Sequence, residues 1–204
     1  MAAATTVFWD NGGVILTNGW DRNGRRAVVD NFSLDWEDFA DRHELMLNAF
    51  ETGHATLDEY LQRVIFYRSR PFTPDDVKKF IFNLSQPLPE SFEYFKKLAA
   101  TERYAMLALN NESREINEYR IRTFNLRKYF DVFLCSCYLG VRKPDEKIYR
   151  MALSLTQCPP NECVFVDDRG LNLEIPKELG MHTVQFKNAA QMREDLARYG
   201  VTAD

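Results

Sequence analysis

The sequence predicts an α/β fold: a three-layer, Rossmann-like core with a parallel sheet and a small all-helical cap inserted after the first strand. Three observations carry this prediction. Five short apolar runs are rich in β-forming residues and are bounded by Asp, Asn or Gly. Helical patterns separate the last four runs, whereas the stretch between the first two contains helical patterns only.

The predicted strands lie at residues 5–9, 104–109, 132–137, 163–166 and 183–186. These runs are almost continuously apolar, which is typical of parallel strands that are covered on both faces. The intervening helices are predicted at residues 114–124, 144–155 and 171–179. Gly180 follows the last of them at the position where a left-handed residue commonly ends a helix.

The predicted cap begins after the first strand and contains several helices. Residues 34–50 carry aromatic and aliphatic side chains at helical spacing. Thr56 and Glu59 have the spacing of a capping box before residues 60–67, and Thr73 precedes a first-turn proline before residues 75–83. We therefore expect a core domain at residues 1–16 and 88–204 and a cap at residues 17–87.

The composition of the chain limits the kinds of molecule that it is expected to bind. The chain has 204 residues, of which 26 are basic and 30 are acidic, for a net charge of -4. This balance gives no general attraction to nucleic acid or to an anionic membrane. With neither a secretory leader nor an apolar run of membrane-spanning length in the sequence, we expect a cytoplasmic monomer or homodimer that acts on a small molecule.

Polar residues follow the predicted strands where ligands bind in open parallel sheets. Alone, each residue has an ordinary explanation as a turn residue, a surface cation or a helix cap. Together they would gather three carboxylates at one edge, where like charges repel unless a cation holds them. Carboxylates and waters suit magnesium, so we expect Mg²⁺ as the cofactor. These strand-end residues are Asp10, Asn110, Asn111, Lys143, Asp167 and Asp168.

Four segments resemble the motifs of the haloacid dehalogenase-like hydrolases, in the group with a small helical cap after the first motif. In chain order they are VFWDNGGVIL, LALNNES, GVRKPDEKIY and CVFVDDRGLNLEIPKELGM. The resemblance spans almost the whole chain, and the third and fourth segments are the most specific. The spacing is similar to that of bacterial sugar-phosphate phosphatases and of the phosphatase domain of soluble epoxide hydrolases.

The resemblance implies a role for each acidic residue and for the lysine. Asp10 is expected to be the nucleophile that forms an aspartyl-phosphate, and Lys143 is expected to bind both the phosphate and the Asp10 carboxylate. Asp10, Asp167 and the backbone carbonyl of Gly12 are the expected metal ligands. Asp168 completes the expected catalytic set by holding a water on the metal.

The resemblance also implies the residues that bind substrate. Asn111 is expected to offer its backbone N–H to a phosphoryl oxygen, and Asn172 is expected to line the same pocket beside Lys143. Asn110 stands where the family usually has Ser or Thr, although its amide can still donate a hydrogen bond to phosphate.

Gly12 is the second departure from the family pattern. The family's phosphatases usually have an Asp two residues after the nucleophile, and this Asp protonates the leaving group. The general acid is therefore missing here or supplied from elsewhere. The imidazoles of His43 and His54 are candidates because they titrate near neutral pH, although we expect both histidines to have surface roles.

The function that these residues favour is magnesium-dependent hydrolysis of a small phosphorylated metabolite. One alternative is a 2-haloacid dehalogenase, which uses the same nucleophile without a metal. The pair Asp167 and Asp168 disfavours it, because two carboxylates beside an anionic substrate are unfavourable without a cation. A second alternative is a phosphate-binding member of the fold with impaired turnover, which Gly12 and Asn110 both permit.

Overall fold

The computed structural model describes residues 3–204 and contains a five-stranded sheet. Each neighbouring pair of strands is parallel, and the strand order is β3-β2-β1-β4-β5. The predicted α/β class is confirmed. In chain order the strands are β1 (Thr6–Trp9), β2 (Ala105–Asn110), β3 (Val132–Cys135), β4 (Cys163–Asp167) and β5 (His182–Gln185).

Helices lie between successive strands and after the last one. Five of them separate β1 from β2: α1 (Arg22–Asn31), α2 (Trp36–Glu51), α3 (Leu57–Val64), α4 (Pro74–Asn83) and α5 (Pro89–Ala100). The other five are α6 (Arg114–Thr123), α7 (Ser136–Leu139), α8 (Glu146–Thr156), α9 (Leu171–Glu178) and α10 (Ala189–Ala197). Among residues 3–204, no helix combines the length and the apolar character that a bilayer crossing requires.

The sheet forms the middle layer because its side chains alternate between two hydrophobic clusters. On β1, Val7 and Trp9 belong to a cluster with residues of α5 and α10. Phe8 belongs to the opposite cluster, which includes residues of α8 and α9. All three side chains are fully buried, so β1 at the centre of the sheet is covered on both faces.

Helices α1 to α4 share a third hydrophobic cluster, which we call the insertion core. Its fully buried side chains include Val28 of α1, Leu61 of α3 and Ile81 of α4. Helix α5 instead packs with the sheet through Phe95 and Leu98. This separation agrees in kind with a helical cap, while the boundaries at residues 16 and 88 stay a prediction.

The capping signals act as the sequence indicates. The side chain of Thr56 accepts a hydrogen bond from the backbone N–H of Glu59, and the Glu59 carboxylate accepts from the backbone of Thr56. Thr73 and Asp76 form a second capping box at the start of α4. Both helices begin earlier than predicted, because the residues directly after these caps already have helical geometry.

The predicted strand at residues 132–137 is too long at its end. Strand β3 stops at Cys135, and Ser136 begins the short helix α7, which Gly140 ends with a φ of 69°. The apolar run continues through this turn because Cys137 is buried in α7. Apolar character alone therefore does not separate the strand from the helical turn.

The turn after α2 packs closely against α7. The hydroxyl of Ser136 donates a hydrogen bond of 2.6 Å to the backbone carbonyl of Glu51. Gly53 has a φ of 75°, and a Cβ at this position would lie 2.1 Å from the carbonyl oxygen of Cys137. The absence of a side chain at Gly53 thus permits this contact between the insertion and the core.

We predict that Gly53→Ala destabilises the protein much more than Gly140→Ala. Both positions have positive φ, which costs about 1–2 kcal/mol for an L-residue. A Cβ at Gly140 would meet nothing within 4 Å, whereas the one at Gly53 would overlap the backbone of Cys137. Overpacking adds about 1–3 kcal/mol. Urea unfolding of the two variants measures the difference, and equal losses would show that the contact at Gly53 is not a tight one.

Candidate active site

The sheet brings two of the candidate acids to neighbouring positions. Asp10 directly follows β1, and its backbone N–H donates a hydrogen bond of 2.9 Å to Val166 of β4. Asp167 is the last residue of β4, and Asp168 comes next. One oxygen from each of Asp10, Asp167 and Asp168 lies within 4.8 Å of the other two. The predicted convergence of the three carboxylates is thus present in the fold.

Lys143 lies between two of these carboxylates. Its Nζ atom is 2.6 Å from an oxygen of Asp167 and 3.4 Å from an oxygen of Asp10. The lysine is 2% exposed although it belongs to the loop between α7 and α8. Burial disfavours its ammonium group, but the two carboxylates prevail and raise the pKa of Lys143. This side chain is therefore a fixed cation.

Asp167 is the most firmly held acid of the cluster. Besides Lys143, its carboxylate accepts hydrogen bonds of 3.0 Å from the Asn172 amide and of 2.8 Å from the backbone N–H of Arg169. Asn172 lies in the first turn of α9, so the helix that follows β4 orients the acid. Asn172 also lines the cavity at the cluster, as predicted.

Of the three acids in the cluster, Asp10 is the one whose negative charge is least stabilised by its surroundings. Burial raises the pKa of Asp10 to about 8; the positive charge of Lys143 opposes this shift, and the carboxylates of Asp167 and Asp168 add to it. Burial likewise raises the pKa of Asp168. These directions express how unfavourable three neighbouring negative charges are beside a single lysine.

The carboxylate cluster has the chemistry of a magnesium site. All its candidate side-chain ligands are oxygens, which Mg²⁺ prefers. Oδ2 of Asp168 accepts a hydrogen bond of 3.1 Å from Asn18, whereas Oδ1 is buried with no hydrogen-bond partner within residues 3–204. An unsatisfied buried carboxylate oxygen beside two further carboxylates fits a cation that carries its own waters. The donor set therefore fits Mg²⁺.

The two asparagines after β2 have different neighbours. The side chain of Asn111 pairs twice with the backbone of Lys143, donating to its carbonyl and accepting from its N–H, each at 2.8 Å. The amide nitrogen of Asn110 lies 3.4 Å from Asn117 and 3.5 Å from Glu112. Both asparagines line the cavity, as does Gly12, while their contacts with phosphate or metal stay predictions.

A cavity of about 270 Å³ lies in front of these residues, and the helical insertion forms its opposite wall. The insertion contributes Trp20, Arg25 and Glu51, among others. Glu51 lies 2.7 Å from Arg142, which directly precedes Lys143. Burial raises the pKa of Glu51, although nearby arginines oppose the shift. The substrate side of the cavity is thus lined with charged groups of both signs.

The two histidines do not line this cavity. The expected surface role is wrong for His43, which is buried in α2 and lies 2.8 Å from the hydroxyl of Tyr60. Burial and the nearby Arg25 and Arg142 lower the pKa of His43 to about 3. His54 is exposed in the turn after α2, as expected, and its ring contacts Thr52.

Sequence reasoning missed a buried ion pair at the cavity. Glu112 and Arg120 are 7% and 2% exposed, and a carboxylate oxygen lies 2.8 Å from the guanidinium. The sequence of α6 does contain a pattern that indicates the burial of Arg120. Arg120 occurs four residues after Ile116 and next to Ile121, so helical periodicity places its charge on the buried face.

Known proteins of similar sequence and fold include phosphatases. The chain is 29% identical to flavin mononucleotide hydrolase 1 of Arabidopsis thaliana over 160 residues, which are 78% of this chain but only 64% of that protein. It is 25% identical to D-ribitol-5-phosphate phosphatase of Bacteroides thetaiotaomicron over 199 residues, 93% of this chain and 95% of that one.

A solved structure has the same fold. It is that of a HAD family enzyme from Bacteroides thetaiotaomicron, as an Asp-to-Ala mutant in complex with magnesium and inorganic phosphate. Its TM-score is 0.75 at 19% identity, over 90% of this chain and 94% of that one. The sequence model of the haloacid dehalogenase-like hydrolases matches residues 5–180. Because this match covers most of the 204 residues, the chain belongs to the haloacid dehalogenase-like hydrolase family.

Proposed function

We propose that the protein is a magnesium-dependent phosphatase that hydrolyses a small phosphate monoester through an aspartyl-phosphate on Asp10. One observation carries the proposal: the Asp10, Asp167 and Asp168 carboxylates converge within 4.8 Å, with the Lys143 ammonium 3.4 Å from Asp10. A carboxylate, a fixed cation and a set of metal ligands are the components that nucleophilic attack on phosphorus requires.

In this proposal each residue of the chain has one task. A carboxylate oxygen of Asp10 attacks phosphorus, and the bond between phosphorus and the ester oxygen breaks. Lys143 holds the phosphoryl group by its charge, and the backbone N–H of Asn111 donates to a phosphoryl oxygen. Asn172 keeps the Asp167 carboxylate in place. Asp10, Asp167 and the carbonyl of Gly12 would hold Mg²⁺, which would supply positive charge to neutralise the phosphoryl oxygens.

The relatives support the phosphatase over the two alternatives. The flavin mononucleotide hydrolase and the D-ribitol-5-phosphate phosphatase are both named for phosphorylated substrates. A metal-free dehalogenase would place its anionic substrate beside three carboxylates with one lysine to offset their charge, which is electrostatically unfavourable. A phosphate-binding protein without turnover would need none of the nucleophilic geometry at Asp10. Release of inorganic phosphate from a panel of metabolites, with and without EDTA, tests the function directly.

We predict that Asp10→Asn abolishes formation of the phosphoenzyme. The amide has the size of the carboxylate but lacks its negative charge and nucleophilic oxygen. In wild-type protein quenched with acid during turnover of a ³²P-labelled ester, we expect label that is stable to acid and released by hydroxylamine. Normal turnover by the variant would contradict the covalent mechanism.

We also predict that Asp167→Asn and Lys143→Met fail in different ways. Asp167→Asn weakens a ligand of the metal, so raising magnesium should restore part of the lost kcat. Lys143→Met removes the fixed charge but keeps the apolar stem, so KM for the ester should rise and added magnesium should not compensate. Magnesium titrations of kcat and KM check both variants, and identical titration curves would contradict the separate roles.

A further inference from the structure

When a phosphate monoester of an alcohol is cleaved, the alcohol oxygen departs slowly unless it gains a proton. The acid groups that line the cavity besides Asp10 are Asp21, Glu51 and Glu112. The Asp21 side chain caps α1 by accepting from the backbone of Gly24. The charges of Arg142, Arg169 and Arg25 all favour the ionised form of Glu51, whereas a single arginine does so for Glu112. The remaining group that could supply the proton is Glu112.

The two carboxylate oxygens of Glu112 differ in how firmly the protein holds them. Oε1 lies 2.8 Å from Nη1 of Arg120. Oε2 has a weak contact of 3.5 Å with the amide of Asn110, at the limit of hydrogen-bonding distance. The residue lines the same cavity as Asp10. Glu112 thus combines an orientation fixed by Arg120 with an oxygen whose contact to the protein is weak.

Arg120 places this carboxyl group beside the nucleophile loop. Its Nε donates to Ser85 at 3.0 Å, and its Nη2 donates to the carbonyl of Thr17 at 2.9 Å. A Cβ at Gly12, two residues after Asp10, would lie 3.4 Å from Nη1 of the same guanidinium. The Arg120 guanidinium is therefore held in place, contacts the Glu112 carboxylate and lies next to Gly12.

We propose that Glu112 is the general acid of the reaction, a role that rests on the proposed phosphatase function. As Asp10 bonds to phosphorus and the ester bond breaks, the proton of Oε2 moves to the departing oxygen. The products are a free alcohol, the aspartyl-phosphate and the Glu112 carboxylate. In the second step this carboxylate accepts a proton from the attacking water, which releases phosphate and regenerates Asp10.

The surroundings of Glu112 suit a group that gains and loses a proton near neutral pH. Burial raises its pKa to about 7, the Arg120 charge opposes the shift and Glu51 from α2 adds to it. From β3, the Cys135 thiol donates to the backbone carbonyl of Glu112. An acid with a pKa close to the working pH is protonated often enough and still a good donor.

The test compares Glu112→Gln with wild-type protein on two esters, glycerol 3-phosphate and p-nitrophenyl phosphate. Gln can still accept from Arg120 but has no acidic proton. We expect kcat for the alkyl ester to fall by about 10²- to 10⁴-fold. The aryl rate should fall far less, because p-nitrophenolate leaves without a proton. The wild-type rate on the aryl ester reports separately on the proposed phosphatase function.

Glu51→Gln is the matched control, because Glu51 is a cavity carboxyl paired with an arginine, like Glu112, and burial raises its pKa as well. The ratio of alkyl to aryl rates should stay near the wild-type ratio in Glu51→Gln and fall in Glu112→Gln. Equal losses on both esters in Glu112→Gln would overturn the proposal and leave a structural role for the ion pair. A selective alkyl loss in Glu51→Gln alone would assign the acid to Glu51 instead.

A second variant guards against misfolding as the explanation. Gly12 lies outside the left-handed region, and a Cβ there would lie 2.9 Å from the movable side chain of Asn18. In the double variant G12D/E112Q, the new carboxyl lies close to Nη1 of Arg120, because a Cβ at Gly12 would be 3.4 Å from that atom. We expect it to recover at least tenfold in alkyl rate over Glu112→Gln. A double variant that melts like wild-type protein without any recovery would contradict the placement of the acid.

Discussion

The buried ammonium of Lys143 between Asp10 and Asp167 is the interaction on which the site depends. Removing one partner of a buried pair commonly costs about 3–5 kcal/mol, because the other charge is left uncompensated. The two carboxylates stand at the ends of adjacent strands, so the register of β1 and β4 fixes their separation. Asn111 then ties the backbone of Lys143 to the end of β2. Three neighbouring strands thus determine the positions of Asp10, Lys143 and Asp167 relative to one another.

The loop that carries Lys143 also contacts the helical insertion. Arg142 directly precedes Lys143 and pairs with Glu51 at the end of α2. The backbone carbonyl of Glu51 also accepts from Ser136 of α7. A displacement of α2 would therefore act on residues adjacent to the lysine. This arrangement couples the wall that the insertion contributes to the cavity with the lysine that, in the proposed mechanism, holds the phosphate.

Local signals in the sequence predicted the strands, the capped helices and the residues at the strand ends, because each depends on neighbours along the chain. The strand order required contacts between distant segments, which no short window contains. The burial of His43 was missed because charged residues flank it in α2, whereas its partner Tyr60 comes from α3. Glu112 was missed because its partner Arg120 lies in a different element, α6, so that the pair forms only in the tertiary structure. The strand order, the burial of His43 and the pairing of Glu112 all depend on tertiary contacts.

The ion pair of Glu112 and Arg120 offers a physical reason why residue 12 can be a glycine. A carboxylate on that residue would add a fourth negative charge beside Asp10, whose pKa burial and two neighbouring acids already raise. Glu112 lies in the loop after β2 and is paired with Arg120, which offsets its charge when it is ionised. Under the proposed mechanism, the group that carries the proton is thereby separated from the acids that bind the metal. Its protonation then depends mainly on burial and on Arg120, and the metal ligands can stay ionised independently of it.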